Sequence, residues 1–230
     1  MSQRTRAGYG GTGPGPITPD GCAVEHWLRL RPGPEPGIIA SAVPAGATIL
    51  ELGCGVGRLT HPLIERGFTV TAVDESPEML AHVRGARTVR SSIEDLELGD
   101  ERFDVVLLAS FLVHNGDPAV RAGMLRACRR HVADGGVVLI QREGADWHVR
   151  VPRESRTEHG LIRVASAEPV DADTSAILVE YEYGDARWTQ RFLSYRYTEE
   201  SFEAALAAAG LAVDTVLTDD GTWVRARPVR

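Results

Sequence analysis

Between Ile49 and Thr60 the chain reads Ile-Leu-Glu-Leu-Gly-Cys-Gly-Val-Gly-Arg-Leu-Thr, an apolar run broken by three alternating glycines before a helical pattern begins. Glycines in such a place let the backbone turn sharply and bring N–H groups up to a ligand at a helix start. The next apolar run ends at Asp74. A carboxylate there can accept both hydroxyls of a ribose across the crevice between neighbouring strands. The chemistry suggested is the binding of a nucleoside-containing cofactor.

The spacing narrows the choice of cofactor. Dinucleotide binders place a third glycine five positions after the first, and here that position is Arg58. Glu51 precedes the turn and would repel a pyrophosphate. S-adenosylmethionine has no phosphate but carries an ammonium and a sulfonium, so Gly53, Gly55 and Gly57 beside Glu51 fit it and oppose NAD. Two further segments bear chemistry. Ser91-Ser92-Ile93-Glu94-Asp95-Leu96 follows a third short run, and Ala109-Ser110-Phe111-Leu112-Val113-His114-Asn115 follows a fourth. His114 is the candidate general base, because an imidazole titrates near working pH; the competing reading is a histidine bonded to backbone at a strand end. Tyr9, in the Gly/Pro-rich start, is the second candidate, since an aromatic face near a sulfonium is favoured by cation–π attraction; the competing reading is a solvent-exposed tail tyrosine. The other histidines (26, 61, 82, 131, 148 and 159) read mostly as solvated. No His, Cys, Asp and Glu grouping has metal-ligand spacing.

These residues need a frame. Strands are predicted over 48–52, 69–73, 87–90, 105–109 and 137–141, with helices between them. The continuous Val-Val-Leu-Leu-Ala run suits a parallel strand covered on both faces. Asp117-Pro118 reads as a helix cap and first turn, with the helix running to Ala133 and stopping at Gly135-Gly136. The alternation implies a βαβ sheet with right-handed crossovers. Beyond Gln141 the pattern changes: 177–183 and 188–197 alternate about Gly184-Asp185, a hairpin signal, and 161–167 is a third strand. A helix capped by Thr198 precedes two last strands at 211–217 and 222–226. Residues 1–46 are read as a Gly/Pro-rich lid segment, frayed up to Ala7 and containing no core element. Residues 47–230 form the cofactor domain, with an inserted antiparallel sheet at about 145–197.

Composition excludes several classes. The formal charge is −7, all 25 basic residues are arginine, and no stretch concentrates them. Nucleic acid is therefore a disfavoured partner. Three scattered cysteines and no CxxC pair suit a reducing cytoplasm. The longest apolar run is too short to span a bilayer, and the start is not a signal peptide. No membrane association is expected.

Glu51-Leu-Gly-Cys-Gly-Val-Gly57, with Val73-Asp74 closing the second strand and Pro77-Glu-Met-Leu80 opening the next helix, resembles the class I S-adenosylmethionine-dependent methyltransferases. The resemblance covers Ala47 to about Arg142. It implies an α/β, Rossmann-like seven-stranded sheet whose last strand is antiparallel. It places the three glycines near the methionine moiety, Asp74 on the ribose, and Ala109 and Ser110 against the methionine part. In many relatives the 92–96 segment reads Asp-Ala-Glu-Asp-Leu and its first acid holds the adenine amino group; here that position is Ser92, so Ser92, with Ile93 beside it, or Glu94 takes the part. S-adenosylhomocysteine would be the product. The Gly-Pro-Gly-Pro-Ile-Thr-Pro-Asp-Gly start resembles actinobacterial methyltransferases of secondary metabolism, which implies a small acceptor, plausibly aromatic given Trp147 and Trp188, methylated at O, N or C. The added sheet is expected over the cofactor, shaping the acceptor site, or serving as a homodimer surface. Rival readings are an NAD(P)- or flavin-dependent oxidoreductase and a non-catalytic nucleotide-binding regulatory module.

Overall fold

The computed structural model describes residues 6–144, 146–156 and 160–229. Along the chain run β1 (Gly10–Thr12), α1 (Val24–Arg29), α2 (Glu35–Ala42), β2 (Thr48–Leu52), α3 (Thr60–Glu65), β3 (Thr69–Asp74), α4 (Pro77–Leu80), β4 (Arg87–Arg90) and β5 (Phe103–Leu108). After a 3-10 turn at Leu112–His114 come α5 (Pro118–His131), β6 (Val132–Gln141), β7 (Arg153–Arg156) and β8 (Gly160–Pro169). Then follow β9 (Thr174–Tyr183), β10 (Arg187–Tyr195), α6 (Glu199–Ala208), β11 (Leu211–Val216) and β12 (Trp223–Pro228). The chain divides into two compact units, 31–144 with 197–229 and 6–30 with 146–196.

The larger unit holds a seven-stranded sheet in the order β11-β12-β6-β5-β2-β3-β4. Its strands are parallel except β12, which runs antiparallel to both β6 and β11. Successive residues of a strand point to opposite faces, and the buried run on β5 divides accordingly. Leu50, Val106 and Leu108 enter one core with Phe202 and Leu206, while Ile49, Val105 and Leu107 enter the other with Ile39 and Leu63. The Asp117 carboxylate accepts from the Ala119 and Val120 N–H groups and starts α5. Thr198 and Ser201 exchange bonds in a capping box that starts α6. Among the described residues no helix is long and apolar enough to cross a membrane.

Two expectations for this unit fail. Residues 31–46 are not devoid of a core element: α2 forms, and Ile39 is fully buried. Pro36 falls in the first helical turn, where its missing N–H costs nothing. Likewise, Gly135 and Gly136 do not separate helix from strand. Strand β6 starts directly after α5 at Val132 and runs through both glycines. A Cβ on Gly136 would stand 2.8 Å from the Asp104 carbonyl oxygen, so glycine permits the close approach of β6 to β5.

The smaller unit is a five-stranded antiparallel sheet, β1-β10-β9-β8-β7. The β9–β10 hairpin turns where the sequence indicated, while the edge strands β1 and β7 carried no alternation long enough to read. The N-terminal segment is fastened to this sheet by β1, by Trp188 Nε1 donating to the Pro14 carbonyl at 2.8 Å, and by the Arg29–Asp185 ion pair.

Leu107 lies in the central sheet with no exposed surface. Leu107→Ala should lower unfolding free energy by about 2–5 kcal/mol in urea titration; a loss below about 1 kcal/mol would contradict the packing described.

Candidate functional site

The site is built where β2 and β3 end side by side. Gly53, Gly55 and Gly57 have φ of 71°, 55° and 87°, the left-handed region in which a Cβ is unfavourable. A side chain on Gly53 would overlap Leu112 and come within 3.5 Å of Ile93 Cδ1, so these two residues wall the turn. At Gly55 a Cβ would meet only Met79 Sδ, at 3.9 Å, which leaves that peptide open. Asp74 fastens the turn from the neighbouring strand. Its Oδ2 accepts the Gly55 N–H at 2.9 Å and its Oδ1 accepts the Ser76 N–H at 2.9 Å. Each carboxylate oxygen can accept a second bond, so the same group can fasten the turn and receive a ribose hydroxyl.

Glu51 lies beneath the turn, 3 % exposed, and its Oε2 accepts from the Thr60 hydroxyl at 2.6 Å. Burial pushes its carboxyl up to about 7, against the lowering effect of the Thr60 bond and of Arg58. Arg58, in the place of the third glycine of a dinucleotide fingerprint, pairs with Glu35 at 2.8 Å and joins the turn to α2.

The loop after β4 is fastened locally. The Ser92 hydroxyl donates to Asp95 Oδ2 at 2.9 Å, Ile93 packs into the core, and Glu94 lies so close to Gly123 that a Cβ there would stand 2.6 Å from its own Cβ. After β5, Ala109 is buried, and Ser110 and Phe111 follow with φ of 55° and 61°. Two successive non-glycine residues in this region are strained. Gln141, on the adjacent β6, holds them by accepting the Ser110 N–H at 2.8 Å.

His114 is bonded to backbone. Its Nε2 accepts the Glu143 N–H at 2.9 Å, so in the neutral ring Nδ1 carries the proton and faces Glu143 Oε2 at 3.6 Å. With that lone pair engaged, the ring positions the Glu143 peptide. The backbone-bonding alternative weighed from the sequence is the geometry found. Tyr9, in the smaller unit, donates its hydroxyl to the Leu193 carbonyl at 3.2 Å. The expectation of mostly solvated histidines also needs correction, because His26 and His131 are buried. His131 falls on the inner face of α5 and His26 is enclosed by aromatic rings, neither of which a lone helical position reveals. His159 lies outside the described residues.

Glu51, Gly53, Gly55, Gly57 and Asp74 are thus one constellation, with Ile93 on its wall. Thr60, Leu112 and Gln141 belong to it or support it as well. Thr60 and Gln141 carried no signal, since a threonine in a first helical turn and a glutamine at a strand end are ordinary. Two buried or half-buried acids around an open glycine turn form a donor set that matches a cationic cofactor and opposes a pyrophosphate. The residues fit S-adenosylmethionine.

Comparison with known proteins agrees. Residues 49–136 match the model of a family described as a methyltransferase domain. An uncharacterized methyltransferase of Mycobacterium tuberculosis is 43% identical over 138 residues, 58% of this chain and 53% of that protein. The chain spans about half the length of that relative. The crystal structure of an S-adenosylmethionine-dependent methyltransferase from Clostridium acetobutylicum aligns with a TM-score of 0.71 at 16% identity, covering 89% of this chain and 95% of that one. The S-adenosylmethionine-bound structure of an amino pentose methyltransferase from Micromonospora echinaspora, involved in calicheamicin biosynthesis, aligns with a TM-score of 0.65 at 21% identity, covering 85% and 89%. Residues 49–136 thus resemble a methyltransferase domain, and the fold is that of the class I methyltransferases.

Glu51 sets a pH dependence. A carboxyl whose folded value lies above its unfolded one favours the fold at low pH, and that contribution is lost as pH rises through about 7. Glu51→Gln keeps an acceptor for Thr60 and cannot ionise. Between pH 4.5 and pH 8 the ligand-free variant should therefore gain about 3 kcal/mol of stability relative to the unsubstituted chain. Parallel stability curves in urea over that range would contradict the assignment.

Proposed function

We propose that the chain is an S-adenosylmethionine-dependent methyltransferase acting on a small, aromatic metabolite of natural-product biosynthesis, in the cytoplasm. The observation that carries the reading is the glycine turn fastened by Asp74 and underlain by Glu51. When bound, S-adenosylmethionine supplies an electrophilic methyl group, and the hard chemistry belongs to the cofactor. The protein's share is alignment and exclusion of water.

Asp74 takes the ribose with the oxygen positions not used by the Gly55 and Ser76 amides. Glu51, beneath the turn, offers a carboxyl that a bound cation would hold ionised, and the open Gly55 peptide admits the ligand without a side chain in the way. Ala109 and the strained Ser110–Phe111 turn, held by Gln141, line the same strand-end rim as the glycines. Ser92 fixes the loop after β4 through Asp95, and Glu94 lies in that loop; these two are the adenine-side candidates. His114 acts as a positioning residue that holds the Glu143 peptide. Support for a natural-product acceptor comes from the sequence start and from the amino pentose methyltransferase among the structural neighbours. An oxidoreductase on the same frame is disfavoured by Glu51 and by Arg58 in the third-glycine position.

Incubation with S-adenosylmethionine and a panel of phenols, aromatic amines and indoles should release S-adenosylhomocysteine in equal amount to a methylated product for at least one class. Release no faster than in a protein-free control for every class would count against a small aromatic acceptor.

A further inference from the structure

The larger unit carries a second concavity, at the edge of the sheet where β5 and β6 begin. The parallel strands finish at the rim of the glycine turn, so they start at the opposite edge, where Phe103 stands beside Val132. An open groove of about 400 Å³ lies there, lined by Arg102, Arg126, Arg129 and Arg130 with a single acid, Asp134. Its size is that of a small-molecule site.

The chain has a formal charge of −7, and arginines of this unit commonly face carboxylates, as at Arg58–Glu35, Arg142–Glu199 and Arg225–Asp214. In the groove that balance fails. Arg130 has Glu97 at 3.7 Å, but Glu97 is largely exposed to solvent. Arg102 donates to the Gly99 and Glu101 carbonyls, which carry no charge. Among the described residues, the Arg126 and Arg129 side chains have neither a hydrogen bond nor an ion pair. Counting Asp134 and Glu97 against the four arginines still leaves an excess of two positive charges. The negative end of α5 accounts for basic residues in its last turn, among them Arg129 and Arg130. It does not account for Arg126, which precedes that turn, or for Arg102 on another segment.

We infer that this groove binds a small ligand through a terminal phosphate or diphosphate. A guanidinium presents its N–H donors in a planar fork that matches phosphate oxygens two at a time. A terminal phosphate carries about −1.5 to −2 at neutral pH, which meets the excess of the groove. A dinucleotide, whose phosphates are both internal diesters, is not such a ligand. The site is separate from the cofactor constellation and does not depend on the identity of the methyl acceptor.

Calorimetric titration of the full chain with inorganic pyrophosphate, at physiological ionic strength, should show saturable, sub-millimolar binding. Arg126→Gln and Arg129→Gln together should weaken it about tenfold or more while the circular dichroism spectrum is retained. Arg126→Gln alone, at an exposed position on α5, should weaken it in the same direction. Arg66→Gln, at an exposed position after α3 on the other face of the sheet, should leave it unchanged. No saturable binding, or binding that the double variant leaves intact (an adventitious ion only), overturns the site. Citrate binding as tightly as pyrophosphate, or a hexaglutamate peptide binding more tightly, overturns the choice of phosphate and gives the groove to a carboxylate-bearing partner.

Discussion

A side-chain hydrogen bond joins the two halves of the cofactor constellation: the Gly55 N–H donates to the Asp74 carboxylate at 2.9 Å, across the ends of two parallel strands. It requires β2 and β3 to finish level, which their register achieves by setting Leu52 opposite Val73. It requires a backbone that turns back on itself within a few residues, which the left-handed glycines supply. It also requires both strands to be rigid. That rigidity comes from the two cores on either face of the sheet, where Leu50, Leu52, Ile49 and Leu107 have almost no exposed surface. The site is therefore a consequence of sheet geometry, and a shift of one residue in register would separate Asp74 from the turn it fastens.

Charge explains the choice of ligand. Glu51 is held in the protein interior at a cost, since its carboxyl is pushed up by burial and only partly offset by Thr60. A buried acid is retained against that cost where a cation compensates it, and a cofactor bearing an ammonium and a sulfonium is such a cation. Arg58 is paired with Glu35 and only partly offsets the acid. The same arrangement would oppose a pyrophosphate twice, by charge and by the side chain at position 58.

Much of this was legible in the sequence. The Glu51–Gly57 motif, Asp74 and the strands β2 to β5 lie close to where they were read, because continuous apolar runs punctuated by glycine admit few other structures. The antiparallel β12 agrees with the resemblance to class I methyltransferases. What stayed hidden depended on contacts between distant residues. The proline-rich stretch concealed α2, since Pro36 is harmless only in a first turn. Gly136 signalled a break when its purpose was close strand approach. His114 could be read as base or as backbone acceptor, and only the Glu143 amide distinguishes the two. Gln141 became visible as a support solely through the strain it stabilises at Ser110.

The most direct test is calorimetric titration of the purified chain with S-adenosylhomocysteine and with NADH, with Asp74→Ala as the control. The account predicts micromolar binding of S-adenosylhomocysteine, about −8 kcal/mol, weakened at least tenfold by the substitution, and no binding of NADH. Binding of NADH in its place, or binding of S-adenosylhomocysteine that is indifferent to Asp74→Ala, would contradict it.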